Sequence, residues 1–227
     1  PPRSTLFPFT TLFRSLADAQ RSDVLMLVQI TGDKKGVNVM SIPRDSWVDI
    51  PGYGQAKINA AYSYGGAGLA IQTVENLMGV HIDHFMITDF TSFEKLTDAL
   101  GGVTIASSEG VKTYSGSEAL AYVRERYSLP RGDFDRVQRQ QAWIRAIFQS
   151  VFSKSVLTDP GKLAEMVSIV AQYSALDDSL NFDSLLSLAS GMSGLRSGGV
   201  KFFTAPFIGT DTSAEDRKST RLNSSHL

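Results

Sequence analysis

The run VLMLVQI at 24–30 is apolar and of strand length. It is followed by VNVMSI at 37–42, which alternates. The six residues between them, Thr31 to Gly36, have the polar, glycine-bearing composition of a hairpin connection. Pro43 ends the second strand because it has no backbone donor for a ladder. This hairpin is the tightest constraint on the fold, since any sheet that contains it holds an antiparallel pair. Downstream, helical and extended stretches alternate. Helices are predicted at about 69–78, from a Thr91 or Ser92 cap to Leu100, over Glu118–Val123, from Asp133 or Asp135 to about Phe152, at 161–174 behind Pro160, and over Phe182–Ser190. Strands are predicted over His84–Phe90, Val103–Ala106 and Val200–Thr204. Gly65, Gly66 and Gly68 read as a flexible approach to the first helix, and Gly79 as its stop. Strands alternating with helices predict a three-layer α/β/α fold, and the hairpin makes its central sheet mixed.

Composition narrows function more than fold. The 22 Lys and Arg nearly balance 23 Asp and Glu, for a net charge of −1. That argues against a general nucleic-acid binder. No cysteine is present, which excludes a thiolate metal site and a cysteine nucleophile. With 227 residues, 42% hydrophobic and 20% charged, the chain suits one large globular domain rather than a disordered or fibrous one. It contains no apolar run of about 18 residues, the length needed to span a membrane.

The two ends differ from the middle. Residues 1–15, PPRSTLFPFTTLFRS, contain a near-repeat, and residues 217–227, RKSTRLNSSHL, are polar, basic and without period. Both read as translated adapter-like sequence, foreign to the rest. Three prolines and the repeat argue against a signal peptide. The expectation is a non-native leader at 1–15, a single domain at 16–216 that is truncated at its N-terminus, and a non-native tail at 217–227.

Chemistry concentrates in two places. Between 113 and 153 stand six arginines and no lysine: Arg124, Arg126, Arg131, Arg136, Arg139 and Arg145. A guanidinium fork meets two oxygens of a phosphate at once and stays charged when partly buried. Arg131-Gly132-Asp133 opens a predicted helix, where unpaired backbone donors favour an anion. Arg136, Arg139, Gln140 and Trp143 share one flank of that helix. The cluster fits an anion site facing that flank, and it equally fits a solvated face paired to Asp133 and Asp135. The second place is the hairpin. Arg21-Ser22-Asp23 precedes its first strand and Pro43-Arg44-Asp45 follows its second, so Asp23 and Arg44 are placed to meet at one sheet edge. An aspartate there suits a hard cation such as magnesium and an arginine suits a phosphate. An ordinary Arg–Asp pair is the alternative. Lys57, Asn59 and Tyr62, which read as the following loop, add two donors and a stacking face. No P-loop or nucleophile elbow occurs, and His81 and His84 lack metal-ligand spacing.

Taken together these motifs resemble the LytR-CpsA-Psr family of bacterial cell-wall glycopolymer ligases. The matching stretches are RSDVLMLVQI at 21–30, MSIPRDSWVDIPGYGQAKINAAYSYGG at 40–66, HFMITDFTSFEKLTDALGGV at 84–103 and YSGSEALAYVRERYSLPRGDFDRVQRQQAWI at 114–144. The resemblance implies a mixed sheet flanked by helices with an apolar pocket for a polyprenyl tail. It implies transfer of a glycopolymer phosphate from a polyprenyl-pyrophosphate carrier to a peptidoglycan or related hydroxyl, usually with magnesium, on the extracytoplasmic face of the cell membrane. The membrane surface would be reached through an anchor outside this chain. By position, Arg44 matches the catalytic arginine and Asp23 a catalytic, metal-associated aspartate. Arg124, Arg126 and Arg131 match the pyrophosphate-binding arginines, and Arg21, Lys57, Asn59, Asp133, Arg136 and Gln140 the polar surround. No nucleic-acid partner is implied.

One departure stands out. The family pattern carries a Gly-x-Asp strand shortly before Arg-Ser-Asp, and here PPRSTLFPFTTLFRS occupies that place. The sheet is therefore expected to lack a strand and the metal site one aspartate. A non-catalytic lipid-pyrophosphate-binding module and a pyrophosphatase are the competing readings. Leu69, Val74 and Leu77 on one helix, with Phe93, Leu96 and Leu100 on another, are expected either to wall a prenyl tunnel or to pack a core.

Overall fold

The computed structural model describes residues 5–11, 24–88, 90–107, 110–125, 133–153, 156–211 and 219–222. In chain order the elements are β1 (Thr5–Thr11), β2 (Val24–Ile30), β3 (Val37–Ile42), β4 (Ser46–Ile50), β5 (Gly54–Lys57), α1 (Ile58–Met78), β6 (Met86–Thr88), α2 (Phe90–Ala99), β7 (Val103–Ser107), β8 (Gly110–Tyr114), α3 (Gly116–Arg124), α4 (Asp133–Ser153), α5 (Pro160–Tyr173), β9 (Ser174–Leu176), α6 (Phe182–Gly191), β10 (Val200–Thr204), β11 (Phe207–Asp211) and β12 (Ser219–Leu222). They form two compact units. The first takes residues 1–32, 37–87 and 201–227, and the second 33–36 and 88–200.

Five strands of the first unit lie side by side in the order β10-β3-β2-β1-β6. The predicted hairpin is present with the predicted bounds, Leu25 opposite Ile42 and Ile30 opposite Val37. β1 pairs antiparallel with β2 over seven residues and parallel with β6 at Phe9 and Met86, so the sheet is mixed, as expected. In β2 every residue except Gln29 is buried. A strand covered on both faces has no use for alternation, which accounts for its continuous apolar run. Leu25 and Leu27 join Ile42, Val48, Ile50, Ile58, Ala61 and Val74 in one core cluster. The leader stretch supplies β1, in the middle of the sheet, and the tail supplies β12, which lies parallel to β4 in a second sheet of order β11-β12-β4-β5.

The segment after Pro43, which reads as a loop in sequence, is instead ordered. Residues 46–57 form the β4–β5 hairpin, and Asn59 and Tyr62 lie on α1. Alternation over SWVDI is clear in the burial pattern, but Pro43 and Pro51 bracket a segment too short to stand out as a strand. The glycines at 65–66 do not precede a helix. They interrupt one: Gly65 and Gly66 leave helical geometry inside α1, Gly66 at φ 64°. Gly79 ends α1 in the left-handed region, as the sequence predicts, with its N–H donating to Glu75 O at 2.8 Å.

In the second unit α2 packs on α3 and α5. Phe93 is fully buried and stacks on Trp143 of α4 at 3.8 Å. The Trp143 indole donates to Thr97 Oγ1 at 3.0 Å, and Thr97 donates in turn to Phe93 O. This satisfies the one polar atom that burying a tryptophan brings along. α2 begins at Phe90, so Thr91 and Ser92 are not its caps. Ser92 Oγ instead donates to Tyr173 O at the end of α5. Where α3 meets α2, Gly116 N donates to Asp98 Oδ1 at 2.8 Å. A Cβ at Gly116 would stand 2.5 Å from Glu94 O.

Gly116→Ala is therefore expected to destabilise the chain by about 1–3 kcal/mol through overpacking. Gly68 lies on α1, and a Cβ added there would meet nothing within 4 Å. Gly68→Ala should by contrast gain roughly 0.4–1 kcal/mol. Urea unfolding of the two variants beside the parent measures both, and the opposite signs are the check.

Candidate functional site

Arg44 sits in the turn between β3 and β4 on the first unit. The turn is held at both ends. Pro43 O accepts from Ser46 N at 3.0 Å and from Ser46 Oγ at 2.5 Å, and Ser46 is fully buried. Arg44 O accepts the Asn59 N–H at 3.2 Å, which ties the turn to the start of α1. Asp45 stands between two cations: its Oδ1 lies 3.2 Å from Lys57 Nζ and its Oδ2 3.7 Å from Arg44 Nε. All three side chains are only 13–20% exposed. A half-buried carboxylate shared by two cations leaves one net positive charge, with Lys57 within hydrogen-bond reach and Arg44 held at ion-pair distance. Asn59 is buried. Arg44, Lys57 and Asn59 are the residues that sequence reasoning finds here. Asp45, which the sequence offers beside Asp23 only as a carboxylate to take the acceptor's proton, is not recognised there as the partner of Lys57, because a Lys57 taken for loop gives no hint of its true place as the strand partner of Trp47.

On the second unit, α3 carries Arg124 in its last turn, exposed, and α4 carries Asp133, Arg136, Arg139 and Gln140. The flank of α4 expected to face a site is divided. Gln140 and Trp143 are buried, and Trp143 belongs to the core with Phe93. Arg139 turns back to α3: its guanidinium lies 4.5 Å from the Tyr122 ring centre and donates to Tyr122 O at 3.2 Å. Tyr122 in turn meets Tyr114, over which Lys112 Nζ sits at 4.7 Å. Lys112, Tyr114, Tyr122 and Arg139 thus form a ladder of cations and rings that joins β8, α3 and α4. Sequence reasoning does not identify it, although cation–ring contacts of this kind recur between arginines and tyrosines. Arg21, Asp23, Arg126 and Arg131 lie outside the described residues.

The start of α3 is set by Glu118, whose Oε2 accepts from both the N–H and the hydroxyl of Ser115, at 2.9 and 3.0 Å. Lys112 Nζ lies 3.6 Å from its other oxygen. These hydrogen bonds, the backbone one first, hold the Glu118 carboxyl below its ordinary value.

The resemblance assigns magnesium to Asp23. Among the described residues no group of three His, Asp or Glu side chains is placed to hold a metal ion, and Asp45 is already engaged by Lys57 and Arg44. The described residues alone do not fit such an ion. The apolar side chains expected to wall a tunnel are core in part. Val74, Phe93 and Leu100 are buried, while Leu69 and Leu77 pack against the first unit's core.

The LytR_cpsA_psr family model matches residues 13–222. The chain belongs to the LytR_cpsA_psr family. It is 30% identical to the cell wall biosynthesis protein LcpA of Corynebacterium glutamicum over 84% of this chain and 44% of that protein. It is 32% identical to the polyisoprenyl-teichoic acid–peptidoglycan teichoic acid transferase TagU of Bacillus licheniformis, over 84% of this chain and 66% of that one. The chain thus spans about half to two thirds of these relatives. The crystal structure of B. subtilis TagV superposes with a TM-score of 0.80 at 25% identity, covering 98% of this chain and 91% of that one. TagT bound to LI-WTA gives 0.77 at 26% identity, covering 98% and 85%. The mixed α/β fold expected from the sequence is the fold of these family members.

Because Glu118 is depressed, its contribution to stability is fully present above its unfolded value near 4.5 and is lost as pH falls through the lower folded value. Glu118→Gln should therefore be less stable than the parent at pH 7, with the gap closing under acid. Thermal unfolding from pH 7 to pH 3 tests this, and a gap that stays constant across the range contradicts it.

Proposed function

We propose that this chain transfers a glycopolymer phosphate from a polyprenyl-pyrophosphate carrier to a hydroxyl of peptidoglycan. The observation that carries the reading is the pinned turn at Arg44. Its guanidinium is held by Asp45 beside Lys57, in a chain related to TagU and similar in fold to TagT. In the reaction the acceptor oxygen bonds to the phosphorus that carries the glycopolymer, and its proton passes to an oxygen of the departing phosphate or to water. The bridging bond of the pyrophosphate breaks, releasing polyprenyl phosphate.

Negative charge is redistributed over the non-bridging oxygens and the departing phosphate, so catalysis is chiefly positioning and charge stabilisation. Arg44 is the group proposed to meet the charge on the transferred phosphoryl. Asp45 acts as a positioning residue, because both its oxygens are engaged. Lys57 adds a second positive charge on the same carboxylate. Arg124, with Arg126, Arg131 and Arg136, is proposed to bind the pyrophosphate, and Arg21, Asn59, Asp133 and Gln140 to form the polar surround. Asp23 is carried as the magnesium ligand by resemblance alone, and no step above depends on the ion. The membrane anchor and the extracytoplasmic location also belong to the proposal. Among the described residues no helix is long and apolar enough to cross a membrane.

Arg44→Ala should lower transfer by roughly 10²–10³-fold, the usual loss for one charge-stabilising donor. Wild-type turnover of a polyprenyl-linked donor by this variant would remove the assignment. Arg124→Lys keeps the charge and loses the fork, and should weaken donor binding by about 1–3 kcal/mol. Calorimetry with a soluble short-chain donor analogue reads this directly, and an unchanged affinity would mark Arg124 as a solvated surface arginine.

A further inference from the structure

Two exposed tyrosines, Tyr53 at the tip of the β4–β5 hairpin and Tyr64 on α1, have no use in the phosphate chemistry. Tyr53 is 57% exposed and Tyr64 47% exposed. The rings stack on each other at 4.8 Å with 21° between their planes. Neither is a stray surface aromatic, because each is held by its backbone. Tyr53 lies between Gly52 at φ 81° and Gly54 at φ 74°, and its N–H closes the turn onto Ile50 O at 2.9 Å. Tyr64 is the last residue of α1 before the break at Gly65 and Gly66. The break deprives nearby carbonyls of their helical partners, and the Tyr53 hydroxyl donates to Tyr64 O at 3.3 Å. Three glycines in the left-handed region, Gly52, Gly54 and Gly66, therefore serve to present one stacked pair to solvent.

The flanking face adds to this. Trp47 and Asp49 of β4 stand opposite Lys57 and Gln55 of β5 and share the outer side of the hairpin, away from the buried Ser46, Val48 and Ile50. The Trp47 indole donates to Gln55 Oε1 at 3.0 Å. Asp49 is exposed. Exposed ring faces, on a hairpin that also displays a carboxylate and an amide, are a recognition set for a sugar. The electron-rich ring meets the weakly positive C–H face of a pyranose, and the polar groups take its hydroxyls and N-acetyl amides. The Asp49 carboxylate disfavours a phosphate-bearing chain. Only Gly54, Gln55 and Ala56 separate Tyr53 from Lys57 in the chain, so the platform and the proposed phosphate chemistry belong to one hairpin.

We infer that Tyr53 and Tyr64 form a platform for the uncharged glycan strand of the acceptor, a polymer of N-acetylated hexosamines. The inference deepens the proposed function and rests on it for the identity of the acceptor.

The test uses a peptide-free peptidoglycan tetrasaccharide as probe, titrated into the protein by calorimetry or NMR, with inorganic pyrophosphate titrated separately. The expected result is that the tetrasaccharide binds, and that Tyr53→Ala and Tyr64→Ala each weaken it at least tenfold without altering pyrophosphate affinity. Tyr53→Phe keeps the ring and should bind like the parent. If Tyr53→Phe loses binding as fully as Tyr53→Ala, the hydroxyl-anchored turn rather than the ring face is responsible, and stacking is overturned. No binding by the parent, or equal binding by folded Tyr53→Ala, also overturns it. So does a polyol-phosphate oligomer that binds through the tyrosines when the tetrasaccharide does not. The probe carries no phosphate, so the two proposals fail separately. Full transfer by Arg44→Ala would remove the phosphate assignment and leave a tyrosine-dependent tetrasaccharide affinity standing.

Discussion

A single backbone hydrogen bond, from Asn59 N–H to Arg44 O, holds together much of the first unit's chemistry. It joins the exit of β3 to the start of α1, while Ser46 closes the turn between them with two donations to Pro43 O. A buried backbone carbonyl must find a donor. Here the donors come from the elements whose mutual placement the site requires. Arg44 is thereby displayed from a turn without freedom to wander, and Lys57, one residue before α1, is brought to the same carboxylate. The β4–β5 hairpin springs from this knot and carries Tyr53 at its far end, against Tyr64 of α1.

The second unit achieves rigidity by apolar means. Phe93 and Trp143 stack in its core, an arrangement that adds about 0.5–1.5 kcal/mol beyond the area buried, and Thr97 absorbs the one polar atom involved. α3 is set against α2 through the close approach at Gly116 and against α4 through Arg139 and Tyr122. Arg124 is thus carried on a helix fixed at its start by Glu118 and near its end by Tyr122.

Much of this is legible in the sequence because local pattern and tertiary role agree. β2 and β3 have their predicted bounds, since a fully covered strand and an alternating partner are both visible in residue type. Arg44 is visible because Pro43 marks a strand end. The β4–β5 hairpin is not, since its turn residues Pro51, Gly52 and Gly54 read as loop and its strands are five and four residues long. The helix before Gly65 is hidden by the glycines that break it. Trp143 falls on an arginine flank in sequence because periodicity gives a direction but not a neighbour, and only packing reveals that its partner is Phe93. Arg126, Arg131 and Asp23 remain sequence-based assignments.

The first unit is discontinuous, closing only when β10 takes its place beside β3. Ala205 N donates to Ser41 O at 2.8 Å, although the whole length of the second unit's main stretch separates them in the chain. At a synthesis rate of about 5–20 residues per second, the ribosome needs roughly 5–25 s to add the second unit's residues after the first unit's early strands have emerged. Throughout that interval β3 is an open edge, the kind that recruits stray strands. The second unit has no such wait, because apart from the short turn at 33–36 it is one continuous stretch. A nascent chain would therefore complete the arginine-bearing unit first, and the turn that holds Arg44 would gain its outer strand last.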